Sequence, residues 1–519
     1  MNKKITALAA AVALVVAACG GDAISETEDA SFEGGATQTA ESDSAPGDES
    51  DSASGDEAVP EAGAVSDTDE APPETDPVAA DAPAPETTEA PAGDADGILN
   101  VPDEFDTIQA AVDAAAAGDL VLIAPGTYNE AVNVVTDEIV IRGLEREGVV
   151  LDGQFELDNG IRVLGASGVA VENLTTQNYT DNGVFFTGVD GYRTSYVTAY
   201  RIGDYGIYAF DSVNGQIEHS YGAGSPDAGL YIGQCFPCNA VVTDFLSEHN
   251  GLGYSGTNAG GNLVIANSTF RFNRAGVVPN SGSYELCYPQ RDNLIVGNTI
   301  YSNNQPDTPA IDVALLAMGN GVVVAGGIGN TIERNLIYDH DKTGIALVPF
   351  LEEGANDDLP AREEWTSTCD DQRVQPLATE IPEQLLWEPF GNSIRENTIT
   401  DSRVADIGIE AVSELTGSLE NCVIDNVSQT SAPAALATLA PCGGDSVPAD
   451  DPAWLEQPLN VLTWLADAET APPAVDYEIA ELPPIPDLDD MPEAATAPAE
   501  PATNVPFPID TDSITTPTP

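Results

Sequence analysis

Five short segments share one glycine-centred frame. They are Asp181-Asn-Gly-Val-Phe-Phe, Asp204-Tyr-Gly-Ile-Tyr-Ala, Asp227-Ala-Gly-Leu-Tyr-Ile, His249-Asn-Gly-Leu-Gly-Tyr and Arg274-Ala-Gly-Val-Val-Pro. Their glycines, at 183, 206, 229, 251 and 276, lie 23, 23, 22 and 25 residues apart. A repeat in the low twenties is one structural unit stacked on itself, and it is too short for a propeller blade of about 40 residues. Stacking brings residues two dozen positions apart to one strand spacing of each other, about 4.8 Å. Function on such a surface comes from columns of side chains.

A second frame carries asparagine: Asn173, Asn267, Asn298, Asn335, Asn397 and Asn421, with Ser195, His219 and Asp244 filling it in the coils between. Short alternating apolar runs such as Asn293-Leu-Ile-Val and Gly321-Val-Val-Val separate these marks. The pattern predicts an all-β fold, a parallel β-helix with three strands per coil, over residues 98–445 with a loop insertion at 351–390. The asparagines read as ladders that bond one another and the turn backbone. Thr107-Ile-Gln-Ala-Ala-Val-Asp-Ala-Ala-Ala, with Ile108, Ala111, Val112 and Ala115 on one face, predicts a helix that caps the open end of the stack.

The ends differ from the middle. Lys3 and Lys4 precede an apolar run from Ile5 to Ala18, a targeting segment. Val16-Ala17-Ala18-Cys19 resembles a bacterial lipobox, which implies a signal peptide over 1–18, lipidation of Cys19, and an exported chain anchored by lipid to the cell membrane or surface. Residues 19–97 have the acidic, proline-rich composition of a disordered tether, and the same composition over 446–519 predicts a mostly disordered tail. Within that tail Trp454 to Leu465 is apolar enough to dock as a short helix. About half of the net charge of −70 resides in these ends; with no basic patch in the remainder, it argues against nucleic acid as a partner. Cys235, Cys238, Cys287, Cys369, Cys422 and Cys442 are expected to form structural disulfides outside the cell.

The residue after each glycine of the frame is apolar and points inward, so the next points outward. That outward row is Phe185, Tyr208, Tyr231, Gly253 and Val278, with Tyr205 at the turn beside it. Two readings stand side by side. In one, Asp181, Asp204, Asp227, His249 and Arg274 are candidate catalytic residues and Phe185, Tyr205, Tyr208 and Tyr231 bind substrate; aromatic rings pack on apolar sugar faces and carboxylates accept hydroxyl hydrogen bonds. Sunken carboxylates with raised pKa then serve as acid and base on a polysaccharide, as in a hydrolase, lyase or epimerase. In the other, the aspartates bond local backbone and the aromatics only stabilise cross-strand packing. No cofactor is required; a bridging Ca²⁺ is compatible with the column, and three histidines and three methionines make the chain poor in copper ligands.

Ile108-Gln-Ala-Ala-Val-Asp with Ala124-Pro-Gly-Thr-Tyr resembles the N-terminal coil of the pectin-lyase-like superfamily. Tyr205-Gly-Ile-Tyr, the run from Ser225 to Gln234, Asn303-Asn-Gln-Pro-Asp-Thr-Pro and Gly344-Ile-Ala-Leu-Val resemble a family of exported right-handed parallel β-helix repeat lipoproteins. The resemblance spans roughly Asp103 to Asn426. It implies a right-handed winding and, as a partner, an exported cytochrome-like protein, for which the chain would act as a non-catalytic scaffold. It implies no particular reaction.

Overall fold

The computed structural model describes residues 97–355, 369, 384–411 and 417–518. The signal segment, Cys19 and the tether as far as residue 96 lie outside the described residues.

Three parallel sheets run the length of the domain. One of twelve strands begins at Ile98–Val101 and ends at Cys422–Ile424. One of ten runs from Gly126–Tyr128 to Thr398–Ser402, and one of eleven from Val132–Val134 to Ser431–Ala432. Each sheet takes, in nearly every coil, every third strand of the chain, so the backbone winds once around the core per coil. The eleven-stranded sheet positions the site. Its strands Asn182–Thr187 (β1), Tyr205–Phe210 (β2), Ala228–Gly233 (β3), Leu252–Thr257 (β4) and Ala275–Asn280 (β5) are successive neighbours.

In-register stacking builds the core. Val184, Ile207, Leu230, Tyr254 and Val277 lie one above another inside the helix, all fully buried. The glycine column exists because the next coil leaves no room. A Cβ on Gly206 would lie 2.5 Å from the carbonyl oxygen of Gly229. The fourth coil corrects the sequence frame. Ala228 pairs with Leu252 and Leu230 with Tyr254, so Gly253, not Gly251, stands opposite Gly229. Tyr254 therefore points inward and Ser255 outward.

The asparagines form ladders, in more than one frame. Asn173, His219, Asp244 and Asn267 take the left-handed turn conformation that ends a strand. The buried ladder lies one residue later: Asn298 donates to Asn335 at 3.0 Å, Asn335 to Asn397 at 2.9 Å and Asn397 to Asn426 at 2.9 Å. Asn421 belongs to a separate ladder with Asn330 and Asn392. Ser195 is the strand residue before such a turn. Asn335→Ala strips two buried donors and an acceptor from this ladder, and a loss of roughly 1–3 kcal/mol in denaturant unfolding is expected.

The N-terminal cap is Ile108–Ala114 (α1), with Thr107 Oγ1 accepting from Ala110 N at 3.1 Å and Ile108, Ala111 and Val112 buried. Two further helices concern the site: the inserted Asp312–Ala317 (α2) and, in the C-terminal segment, Leu462–Thr470 (α4), with the short Leu436–Leu439 (α3) between them. Three disulfides join Cys235 to Cys238, Cys287 to Cys369 and Cys422 to Cys442.

Where composition predicts a mostly disordered tail, residues 446–518 lie on the β-helix. Trp454 enters the main core, and Leu459 and Trp464 pack with Ala228, Leu252 and Ala275. Beyond α4 the chain is an extended strap gripped by arginine. Arg201 donates to the carbonyls of Glu478 and Ala480 at 2.8 Å each, and Arg142 to those of Ala497 at 2.7 Å and Pro498 at 2.9 Å. Guanidinium groups also donate from Arg146 to Asp489 O, from Arg193 to Glu500 O and from Arg334 to Thr511 O, while the Arg146 backbone N–H donates to the Asp490 carboxylate at 2.6 Å. Guanidinium forks satisfy backbone carbonyls that a proline-rich segment cannot pair within itself.

Candidate functional site

The backbone sets the aspartate column directly. Asp204 N donates to Asp181 O at 2.8 Å and Asp227 N to Asp204 O at 3.4 Å, so the three side chains leave successive coils at the same turn. The two-residue shift of the fourth coil puts Gly251 next in the column and leaves His249 out of it. His249 opens the same turn two residues earlier, with φ 60°, and stacks on Phe272 of the next coil, ring centroids 5.6 Å apart. Arg274 is in register, its N–H donating to Gly251 O at 3.2 Å. Its buried guanidinium, however, turns away to bond Pro306 O at 2.7 Å and Thr308 O at 2.8 Å, pinning the insertion that leads into α2. The structure thus keeps Asp181, Asp204 and Asp227 together and separates His249 and Arg274 from them.

The aromatic row is in register, Phe185 opposite Tyr208 and Tyr208 opposite Tyr231. It is not a flat open strip. Phe185 and Tyr208 stack at 4.7 Å with planes 13° apart, and Tyr205 stacks on Tyr208 at 4.5 Å and 17°. Rings stacked in this way cover one another's faces. Tyr231 is tilted 69° from Tyr208 and only 2% exposed.

A carboxylate from outside the repeats completes the group. Residues 281–290, inserted after β5, bring Glu285 onto the Tyr231 hydroxyl, which donates to it. The insertion is held in place by Leu286 N donating to Gln234 Oε1 at 2.7 Å, by Asn258 Nδ2 donating to Glu285 O at 2.8 Å and by the Cys287–Cys369 disulfide. On the other side Ile311 N donates to Pro226 O at 3.0 Å, so the segment before α2 closes over the Asp227 end. The hairpin stem of the 351–390 insertion, Phe350–Glu353 paired with Gln384–Trp387, supports the Glu285 loop through Glu352, which accepts from Ser283 N at 3.0 Å. Glu285 was invisible as a site residue in the repeat pattern; the only signal was that a Tyr-Glu-Leu-Cys run interrupts the spacing after β5.

Burial dominates the electrostatics. Burial, then the charges of Asp227 and Asp181, push the Asp204 carboxyl well above the usual carboxylate range. Burial likewise raises Asp227, against the opposing pull of a hydrogen bond from Tyr205. Glu285 is pushed up to about 8, by burial first, with the charge of Asp227 adding and the Tyr231 hydrogen bond opposing. Tyr205, Tyr208 and Tyr231 are held well above the ordinary phenol value by burial and by these carboxylates, so they stay neutral donors. Asp227 Oδ1 and Glu285 Oε2 are buried with no hydrogen-bond partner among the described residues. An orphaned buried oxygen in a native site calls for a partner. No group of three or more metal-ligating side chains is assembled among the described residues.

The profile of the family described as "Right handed beta helix region" matches residues 159–349, the stretch that contains the site. The fold is a right-handed parallel β-helix. By sequence the chain matches no curated protein. Among solved structures it is similar to the A-module of mannuronan C-5 epimerase AlgE4 from Azotobacter vinelandii, at 17% identity over 64% of this chain and 91% of that one, TM-score 0.40. The periplasmic alginate epimerase AlgG matches at 12% identity over 64% and 82%, TM-score 0.34. The catalytic unit of a GH87 α-1,3-glucanase from Streptomyces thermodiastaticus strain HF3-3 matches at 15% over 64% and 55%, TM-score 0.37. At these identities the likeness is one of fold, and the β-helix domain's site is read from its own residues.

Proposed function

We propose that the face formed by β1, β2 and β3 binds a neutral polysaccharide, and that Asp204, Asp227 and Glu285 form its acid–base centre. The carrying observation is the pair of buried carboxyl groups, on Asp227 and Glu285, that each present an unpartnered oxygen beside three neutral tyrosine hydroxyls. Sugar hydroxyls both donate and accept, and such a lining offers both. A lining poorly solvated enough to hold its own carboxyl groups protonated disfavours an anionic polymer as well, since a buried charge there meets no counter-charge. The chemistry within reach is glycosidic cleavage, with protonated Glu285 supplying the proton and the ionised member of the Asp204–Asp227 pair acting as base or nucleophile. The targeting segment and lipobox support an exported, lipid-anchored protein working on a polysaccharide outside the membrane.

The closed ring faces favour a second reading, in which the columns are stabilising ladders and the domain is a scaffold for an exported redox protein. Substitution separates the two. Tyr208→Phe, which keeps the stacked ring and removes only its hydroxyl, is expected to weaken glycan binding by roughly 0.5–1.5 kcal/mol, the worth of one hydrogen bond, with little loss of stability. Tyr231 is buried, so Tyr231→Phe rather than Ala is the informative change there. Asp204→Asn keeps the shape, removes the charge, and should reduce turnover, read by reducing-end and unsaturated-product assays, more than binding. If these variants move only the melting temperature, the scaffold reading holds.

A further inference from the structure

Beside the Asp181 end of the carboxylate column the C-terminal strap delivers an aromatic ring. Arg201, one turn from Asp204 in the same coil, donates to the carbonyls of Tyr477 at 3.2 Å, Glu478 at 2.8 Å and Ala480 at 2.8 Å, which fixes this stretch of backbone against the helix. The Tyr477 ring meets Phe155, from the coil before β1, at 5.8 Å and 64°. Burial, then the charges of Glu478, Asp476 and Asp181, hold its phenol above the ordinary value, so its hydroxyl stays a neutral donor. Tyr477 and Phe155 are both half-buried, while Glu478 and Ile479 beside them in the strap are exposed, Ile479 by 74%.

The edge-to-face geometry matters. In the stacked column, Phe185, Tyr208 and Tyr205 cover one another's faces. An edge-to-face pair leaves both faces of one ring, and one face of the other, uncovered by its partner, and a sugar packs on a ring face. The position matters as well. Asp181 stands two strand spacings from Asp227, about 10 Å, so a ligand touching both ends is an oligosaccharide and not a single sugar.

We infer that Tyr477, although it lies outside the repeats, is a specificity-determining residue of the carbohydrate site, forming with Phe155 and Asp181 an aromatic subsite beyond the Asp204–Asp227–Glu285 centre. The inference rests on the carbohydrate reading above. It assigns the strap a part in recognition: the C-terminal segment supplies a ring face that its aromatic partner leaves uncovered, which the column lacks, and it selects for chain length. The acidic strap adds no cation, so the subsite suits a neutral sugar.

The test uses the full chain and neutral gluco- and xylo-oligosaccharides from the disaccharide upward, with affinity measured by calorimetry. Tyr477→Ala should lower affinity for the longer oligosaccharides by roughly 2–10-fold, the range an aromatic contact supplies, and leave the shortest bound ligand unaffected. Tyr477→Phe should bind as wild type, and so should Ile479→Ser, an exposed position in the same segment. Limited proteolysis checks that the strap stays docked, and Tyr477→Leu, which retains bulk without a ring, replaces the alanine variant if it does not. The inference is overturned if Tyr477→Ala and Tyr477→Leu bind long oligosaccharides as wild type does, or if Ile479→Ser loses as much as they do. If the wild type binds none of these glycans, the carbohydrate reading itself fails; if it binds them and loses affinity only with Tyr208→Phe or Asp204→Asn, the strap inference alone fails.

Discussion

Deleting residues 446–519 should destabilise the β-helix severely, although composition marks them as an appendage. Trp454, Leu459 and Trp464 are 5%, 0% and 4% exposed. Each contributes roughly 2–3 kcal/mol by burial, offset in part by the entropy of ordering the segment. The deletion also uncovers Arg142, which is 1% exposed and bonds three strap carbonyls while paired with Glu172 at 2.7 Å. A fall in melting temperature of roughly 10 °C or more is expected, using about 2–4 °C per kcal/mol for large domains. A shorter deletion, beginning after α4 at residue 471, keeps the two tryptophans and should cost clearly less. Equal melting temperatures for the intact and shortest chains would mean that the tail is not docked in solution.

The second large effect is on pH. Glu285 is raised in the folded state to about 8 from an ordinary 4.5. A carboxyl raised on folding binds its proton more tightly in the folded chain. Its contribution is complete below the unfolded pKa and is lost as pH rises through the folded one. The folded protein should therefore lose stability between about pH 4.5 and 8 from this residue alone, by up to roughly 5 kcal/mol at about 1.4 kcal/mol per pH unit. Asp204 and Asp227, raised for the same reason, act in the same direction. The acidic surface adds its own repulsion, so the diagnostic quantity is a difference: Glu285→Gln keeps the acceptor for Tyr231 and should flatten the loss relative to wild type. A wild type and a Glu285→Gln variant with parallel stability–pH curves would show that Glu285 titrates normally.

The architecture was legible because a 22–25-residue spacing has few structural solutions, and because inward and outward positions alternate strictly along β1 to β3. The register was legible to within a residue or two. His249-Asn-Gly-Leu-Gly-Tyr offers two glycines two positions apart, and only packing against Gly229 selects Gly253; choosing Gly251 carried His249 wrongly into the column. The asparagine frame blurred in the same way, since a turn residue and the ladder residue after it are both polar. Arg274 kept its register and lost its expected role, because sequence spacing places a Cα and says nothing of where a long side chain finds carbonyls. Glu285 came from an insertion, to which periodicity is blind. The strap was misread because composition counts its charges, whereas arginine recognises its backbone carbonyls.

The most direct test of the carbohydrate claim is calorimetric titration of the intact protein with neutral polysaccharides chosen by glycan-array screening, across pH 5 to 9, alongside Asp204→Asn and Glu285→Gln. The predicted result is binding by the wild type that weakens as pH rises through about 8, where Glu285 gives up its proton, and turnover, where present, that both variants diminish. No binding of any neutral glycan, with variants that alter only the melting temperature, would contradict it.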